Sequence, residues 1–121
     1  MASIVKKRFE APDETRSMPN GEVNFVKLND VEVMKATFQP GWRWSEHLKP
    51  IVGTGSCQVA HLLYVVSGRM GISMDDGEES EIGPGDVATV APGHDAWIIG
   101  DEPCVVLDFQ GASNYALPHK H

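Results

Sequence analysis

The stretch "PGDVATVAPGHDAWIIG", residues 84–100, reads as two short strands joined at Pro92-Gly93. "DVATV" is rich in β-branched residues, "AWII" resumes the pattern, and Pro-Gly pairs leave no room for a helix. The same rhythm runs outward in both directions. "CVVLDF" follows Gly100-Asp101. Going back, "SEI" ends at Gly83, "RMGISM" at Asp75-Asp76-Gly77 and "HLLYVV" at Ser67-Gly68. Before them, "VEVMKATF" ends at Gln39-Pro40-Gly41 and "VNFVKL" at Asn29-Asp30. No window of ten or more residues has apolar spacing at three and four. Strands this short and this closely punctuated predict an all-β sandwich or barrel with little or no helix. Asp76-Gly77 marks a hairpin, because both residues tolerate positive φ.

A chain of 121 residues fits one domain. Residues 1–37 are expected to supply N-terminal strands and a loop packed on the barrel, residues 38–112 the barrel core, and residues 113–121 a C-terminal tail. Within the first part, a short strand is expected around Ile4 to Arg8, and "APDETRSMPNG", residues 11–21, reads as loop. His119 and His121 fall in the tail and are set aside as ligands.

Net charge is −7, and an acidic surface repels phosphate backbones, so nucleic acid is excluded as a partner. No apolar run reaches membrane-spanning length, and the charged start "MASIVKKRFE" lacks the apolar core of a signal peptide. The expected compartment is the cytoplasm. Cys57 and Cys104 form neither a CxxC pair nor a dense framework. In a reducing compartment they read as free, half-buried thiols rather than as a disulfide or metal ligands.

Three histidines, His47, His61 and His94, lie within the β-rich region. In "HLLYVV" strand parity points His61, Leu63 and Val65 the same way, so His61 is a satisfied core residue or a ligand facing a cavity. His94 follows the Pro92-Gly93 turn. His47 lies in "PGWRWSEHLKP", residues 40–50, beside Trp42 and Trp44.

The spacing of these residues resembles the cupin superfamily, small double-stranded β-helix barrels related to jelly rolls. The family's first motif is Gly, five residues, His-x-His, three or four residues, Glu, six residues, Gly. Here Gly41, five residues and His47 follow its opening, and His61, six residues and Gly68 follow its close. Lys49 stands at the second histidine place, and His61 at the glutamate place. "PIVGTGSCQVA" between the halves reads as a loop lengthened at the barrel mouth. The second motif is Gly, five residues, Pro-x-Gly, two residues, His, three residues, Asn. "GDVATVAPGHDAWIIG" follows its outline, with Ala96 at the strict histidine place and His94 two residues earlier. A two-residue offset keeps strand parity and aims His94 inward near the rim; a tighter turn aims it at solvent.

The resemblance covers about residues 38–110. It implies a divalent metal ion (zinc, iron, nickel or manganese) held by His47, His61 and His94. Three protein ligands leave a position open for water or substrate. A site of three neutral imidazoles keeps the ion's full charge and favours anionic ligands. Trp42, Trp44, Tyr64 and Trp97 are candidates for the pocket wall, and Lys49 for a cation at its mouth; Lys49 also reads as a solvated loop residue, and Trp97 equally as core. Glu46 and Asp95 read as surface groups or as supports for an imidazole.

The function expected is that of a small metal-dependent enzyme, a dioxygenase, isomerase or other Lewis-acid catalyst acting on a small anionic metabolite. The alternatives are a non-catalytic small-molecule-binding or sensory cupin, and a metal-free barrel serving as a dimerisation module. A homodimer is expected in each case, formed through edge strands.

Overall fold

The computed structural model describes residues 3–110. The expected tail over residues 113–121, with His119 and His121, lies outside the described residues. Among the described residues, 51% lie in strand and 7% in helix, in line with an all-β reading. The strands in chain order are β1 (Glu14–Met18), β2 (Gly21–Leu28), β3 (Val31–Phe38), β4 (His61–Ser67), β5 (Arg69–Met74), β6 (Glu79–Ile82), β7 (Val87–Val90), β8 (His94–Ile99) and β9 (Cys104–Asp108). Two single-turn helices, α1 (Trp44–His47) and α2 (Lys49–Val52), lie between β3 and β4.

The strands form a six-stranded sheet in the order β1-β2-β3-β9-β4-β7 and a three-stranded sheet in the order β6-β5-β8, with neighbouring strands antiparallel throughout. The turn chemistry read from the sequence sits where the strands reverse. Asn29 adopts φ 55° between β2 and β3, and Gly77 adopts φ 97° between β5 and β6; neither position suits a β-branched side chain. The inner faces of the two sheets alternate as strands must. Met34, Ala36 and Phe38 of β3, Leu63 and Val65 of β4, Met70 and Ile72 of β5, and Ala96 and Ile98 of β8 are all buried in one core. Fully burying an aliphatic side chain of this size contributes about 1.5–3 kcal/mol, so one strand slipping by a single residue would exchange its core face for its solvent face.

The N-terminal part departs from expectation. Residues 4–8 form no strand, and Ile4 is exposed. Instead β1 forms inside the segment read as loop, pairing with β2 from Glu14 opposite Phe25 to Met18 opposite Gly21. The strand "ETRSM" buries only Met18, so apolar alternation leaves it no signal. It is an edge strand protected by charge: Arg16 pairs with Glu14 and lies over the Phe25 ring, 4.2 Å from its centroid.

Candidate metal centre

A cavity of about 30 Å³ lies between the two sheets. The six-stranded sheet contributes Phe38, His61 and Leu63 among others, the three-stranded sheet contributes Ile72, His94 and Ala96, and the β3–β4 connection contributes Trp42, Trp44 and Cys57. Against these apolar walls stand Cys57, His61 and His94, whose ligating atoms all lie within 4.8 Å of one another. All three residues are buried.

His61 opens β4 and shares its inner face with Leu63 and Val65. Its Nδ1 lies 2.5 Å from Oδ2 of Asp108. Asp108 ends β9, where the alternation of Cys104 and Val106 carries it inward to 0% exposure. Its other oxygen accepts the backbone N–H groups of Leu62 at 3.3 Å and Gln110 at 3.0 Å. A carboxylate accepts, so Nδ1 of His61 carries hydrogen and leaves Nε2, 3.8 Å from the Cys57 sulfur, to aim into the group. His94 opens β8 on the same face as Ala96 and Ile98. Its Nδ1 donates to the carbonyl oxygen of Ala91 at 2.7 Å, which again frees Nε2. The two imidazoles meet edge to face with centroids 5.1 Å apart. A metal-binding histidine usually gives its other N–H to a carboxylate or a backbone carbonyl, and here one ring uses each.

Cys57 is tied to His94 through the main chain. The N–H of Cys57 donates to the His94 carbonyl at 2.7 Å, and the Cys57 carbonyl accepts from Gly93 at 2.7 Å and His94 at 3.2 Å. Gly93 takes φ 93° at this crossing. Two of the three donors are thereby held by one backbone bridge, whatever the state of their side chains. Burial pushes the Cys57 thiol up to about 11, and the charges of Asp108 and Asp95 act in the same direction. Burial also holds His94 below its ordinary value, against a smaller upward pull from the Ala91 carbonyl. His94 is therefore a neutral imidazole at pH 7, the form that ligates.

The donors fit a tetrahedral ion. Bond lengths of ~2.3 Å to sulfur and ~2.05 Å to nitrogen place S and N about 3.6 Å apart, close to the 3.8 Å between Cys57 Sγ and His61 Nε2. Three protein ligands would leave such an ion one position for water or another small molecule.

The structure therefore brings together His61 and His94 of the three expected histidines, and adds Cys57, which reads from sequence as a bystander thiol. His47 is elsewhere. It is half-buried at the end of α1, with Nδ1 3.0 Å from the backbone N of Arg43. The physical reason is the period of the local chain. As two helical turns, residues 44–52 send Trp44 and Leu48, four apart, into the core and rotate His47 away. Lys49 starts α2 and is exposed. Tyr64 alternates with Leu63 and Val65 and faces solvent. Trp97 lies on the outer face of β8, over Gly71 and with the Arg43 guanidinium 4.9 Å from its ring. Of the expected pocket residues, Trp42 and Trp44 line the cavity. Asp95 supports no imidazole; it pairs with Arg43 at 3.2 Å and accepts the Ser45 N–H at the start of α1. Glu46 is exposed.

Two carriers of the site escaped the sequence reading. Cys57 sits in the lengthened connection "PIVGTGSCQVA", and its four-residue separation from His61 has meaning only once β4 begins at His61. Asp108 interrupts an apolar strand on its inward face, and strand parity from Cys104 and Val106 marks it.

No protein-family model matches the sequence, and no curated protein is significantly similar to it. Its fold is shared with solved structures. A protein of unknown function from Rhizobium leguminosarum superposes with a TM-score of 0.65 at 18% identity, over 98% of this chain and 100% of that one. The oxalate decarboxylase of Lactobacillus farciminis, solved with formate, superposes with a TM-score of 0.64 at 15% identity over 93% of this chain. The coconut allergen cocosin gives 0.60 at 17% identity over 90%. The chain spans about a third of the length of the latter two, 34% and 33%. The fold is that of the cupins. It carries a group of one cysteine and two histidines suited to a metal ion. No helix among the described residues is long and apolar enough to cross a membrane.

Proposed function

We propose that this chain is a metal-binding cupin whose ion is held by Cys57, His61 and His94. The observation that carries the reading is the state of the two rings. Each spends Nδ1–H on a fixed acceptor, Asp108 or the Ala91 carbonyl, which leaves Nε2 free to ligate, and that of His61 lies 3.8 Å from the Cys57 sulfur, with one ligating atom of each of the three residues within 4.8 Å of the others.

One thiolate and two imidazoles suit zinc and the later first-row ions better than manganese, which prefers oxygen. The charge balance also differs from that of three imidazoles. A Cys57 thiolate and the Asp108 carboxylate together offset a divalent ion, so the site does not carry the surplus that would draw a metabolite by charge alone. When bound, such an ion supplies Lewis acidity at its open position. The chain's own residues do the rest: Asp108 and Ala91 orient the rings, while Phe38, Trp42 and Trp44 exclude water. We favour Lewis-acid chemistry on a small molecule. The non-catalytic reading is supported by the cavity itself, whose 30 Å³ has room for about two waters.

Two further readings belong with this one. The free thiols Cys57 and Cys104 support a reducing compartment, the cytoplasm. Leu62, Tyr64 and Val66 on β4 and Val87 on the edge strand β7 are exposed, and this apolar outer face supports a homodimer.

The test is elemental analysis of untagged protein purified without chelators. About one ion of the zinc class per chain is expected. His61→Ala with His94→Ala should abolish it, Cys57→Ser should weaken it, and His47→Ala should leave it in place. Retention of metal in the His61/His94 double variant, or its loss in His47→Ala, would refute the assignment.

A further inference from the structure

The cavity beside the three donors holds a polar group with nothing to bond. Trp42 lines the same space as Cys57, His61 and His94 and is 2% exposed. Among the described residues, its indole Nε1 is the buried side-chain polar atom that lacks a hydrogen-bond partner. Protein interiors pair nearly all such groups, because an unpaired buried donor forfeits its bond to water. The ring is not free to turn and find a partner. Its face stacks on Phe38 with centroids 4.0 Å apart, and its own carbonyl is tied to the N–H of Ile98 on β8 at 3.0 Å. The acceptor has to come to the indole, and the space limits what comes. At about 30 Å³ the cavity takes something the size of about two waters, which excludes a ring or a sugar.

We propose that the indole N–H of Trp42 is the specificity donor for a small hydrogen-bond acceptor, of about two or three heavy atoms, held in this cavity beside Cys57, His61 and His94. The chemical class is that of formate or azide, a compact acceptor with one end for the ion and one for the indole. The inference rests on the metal reading, since an acceptor in an otherwise apolar space needs the ion as its second partner. Size and a single donor then select the ligand, because Cys57 and Asp108 already offset the ion's charge.

The experiment uses zinc-loaded protein labelled with ¹⁵N at its three tryptophan indoles, with azide, formate and benzoate as probes. The Trp42 cross-peak is identified by its loss in Trp42→Phe. Azide or formate should move that peak saturably, while Trp97, on the outer face, stays in place and benzoate moves neither. Trp42→Phe, compared at equal zinc content, should weaken azide binding about tenfold. A Trp42 peak unmoved in zinc-bound protein, or equal azide affinity in the variant, overturns the inference while the metal reading stands. Failure to take up zinc overturns both. Should Trp42→Phe fail to fold, the peak that contacts azide in the wild type, assigned through its neighbours, decides the matter alone.

Discussion

Replacing Cys57 by Ala should change how zinc affinity depends on pH, by an amount that the burial of the thiol sets. Cys57 is 2% exposed, and its thiol is pushed up to about 11. At pH 7 it is protonated, some four pH units below its midpoint. Forming the thiolate there costs about 5.5 kcal/mol at ~1.4 kcal/mol per unit, which ion binding has to supply. Each unit of rising pH below 11 removes one such increment and raises affinity about tenfold. His94 adds no slope in this range, because burial holds it below its ordinary 6.5 and its proton is already off at pH 7. Between pH 7 and pH 9 the wild type should therefore gain about a hundredfold more in zinc affinity than Cys57→Ala gains. The assay is competition with a chelating indicator at pH 7, 8 and 9, the variant measured beside the wild type. Parallel lines for the two proteins would show that no thiolate forms on binding, and Cys57 would leave the ligand set.

Asp108→Asn tests the support behind His61. The oxygen of the new amide is claimed by the Leu62 and Gln110 N–H groups, so its NH₂ faces Nδ1 of His61 and moves the ring hydrogen to Nε2, where the metal should bind. Zinc affinity should fall about 10- to 100-fold, read by the same competition, and an unchanged value would sink the orienting role. Two turn glycines, Gly68 where the chain passes from β4 to β5 and Gly77 in the β5–β6 hairpin, separate packing from backbone conformation. Gly68→Ala places a Cβ 2.4 Å from the Pro103 carbonyl oxygen at φ 78°, whereas Gly77→Ala at φ 97° meets nothing within 4 Å. Both should destabilise, Gly77→Ala by about 1 kcal/mol and Gly68→Ala by at least ~2 kcal/mol more, measured by urea unfolding; equal losses would contradict the close approach of the β4–β5 junction to the start of β9.

Most of the strand list was legible, because eight strands announce themselves by β-branched runs between Gly, Pro and Asn-Asp turns. β1 was not: a charged edge strand that buries one side chain has no alternation to read. Within the site, parity placed His61 on the inner face of its strand; for His94 it left an inward and a solvent-facing orientation open, and the turn at Pro92-Gly93 decided for the inward one. The same rule, applied to Tyr64 beside Leu63, points that residue outward. His47 was misplaced by a change of period. Residues 44–52 are too short for a helix to show in composition, yet two turns of it decide which side chains face the core.

The order of residues therefore determined on its own the all-β character, the turn positions and the inward face of β4, because these follow from local backbone preference and from periodicities a few residues long. Only the tertiary structure decided the ligand set. Cys57, His61, His94 and Asp108 come from a connecting loop and three strands, and their meeting depends on β9 lying beside β4 and on a backbone bridge between Cys57 and His94. Convergence of that kind is a property of sheet order and closure, and spacing along the chain does not encode it.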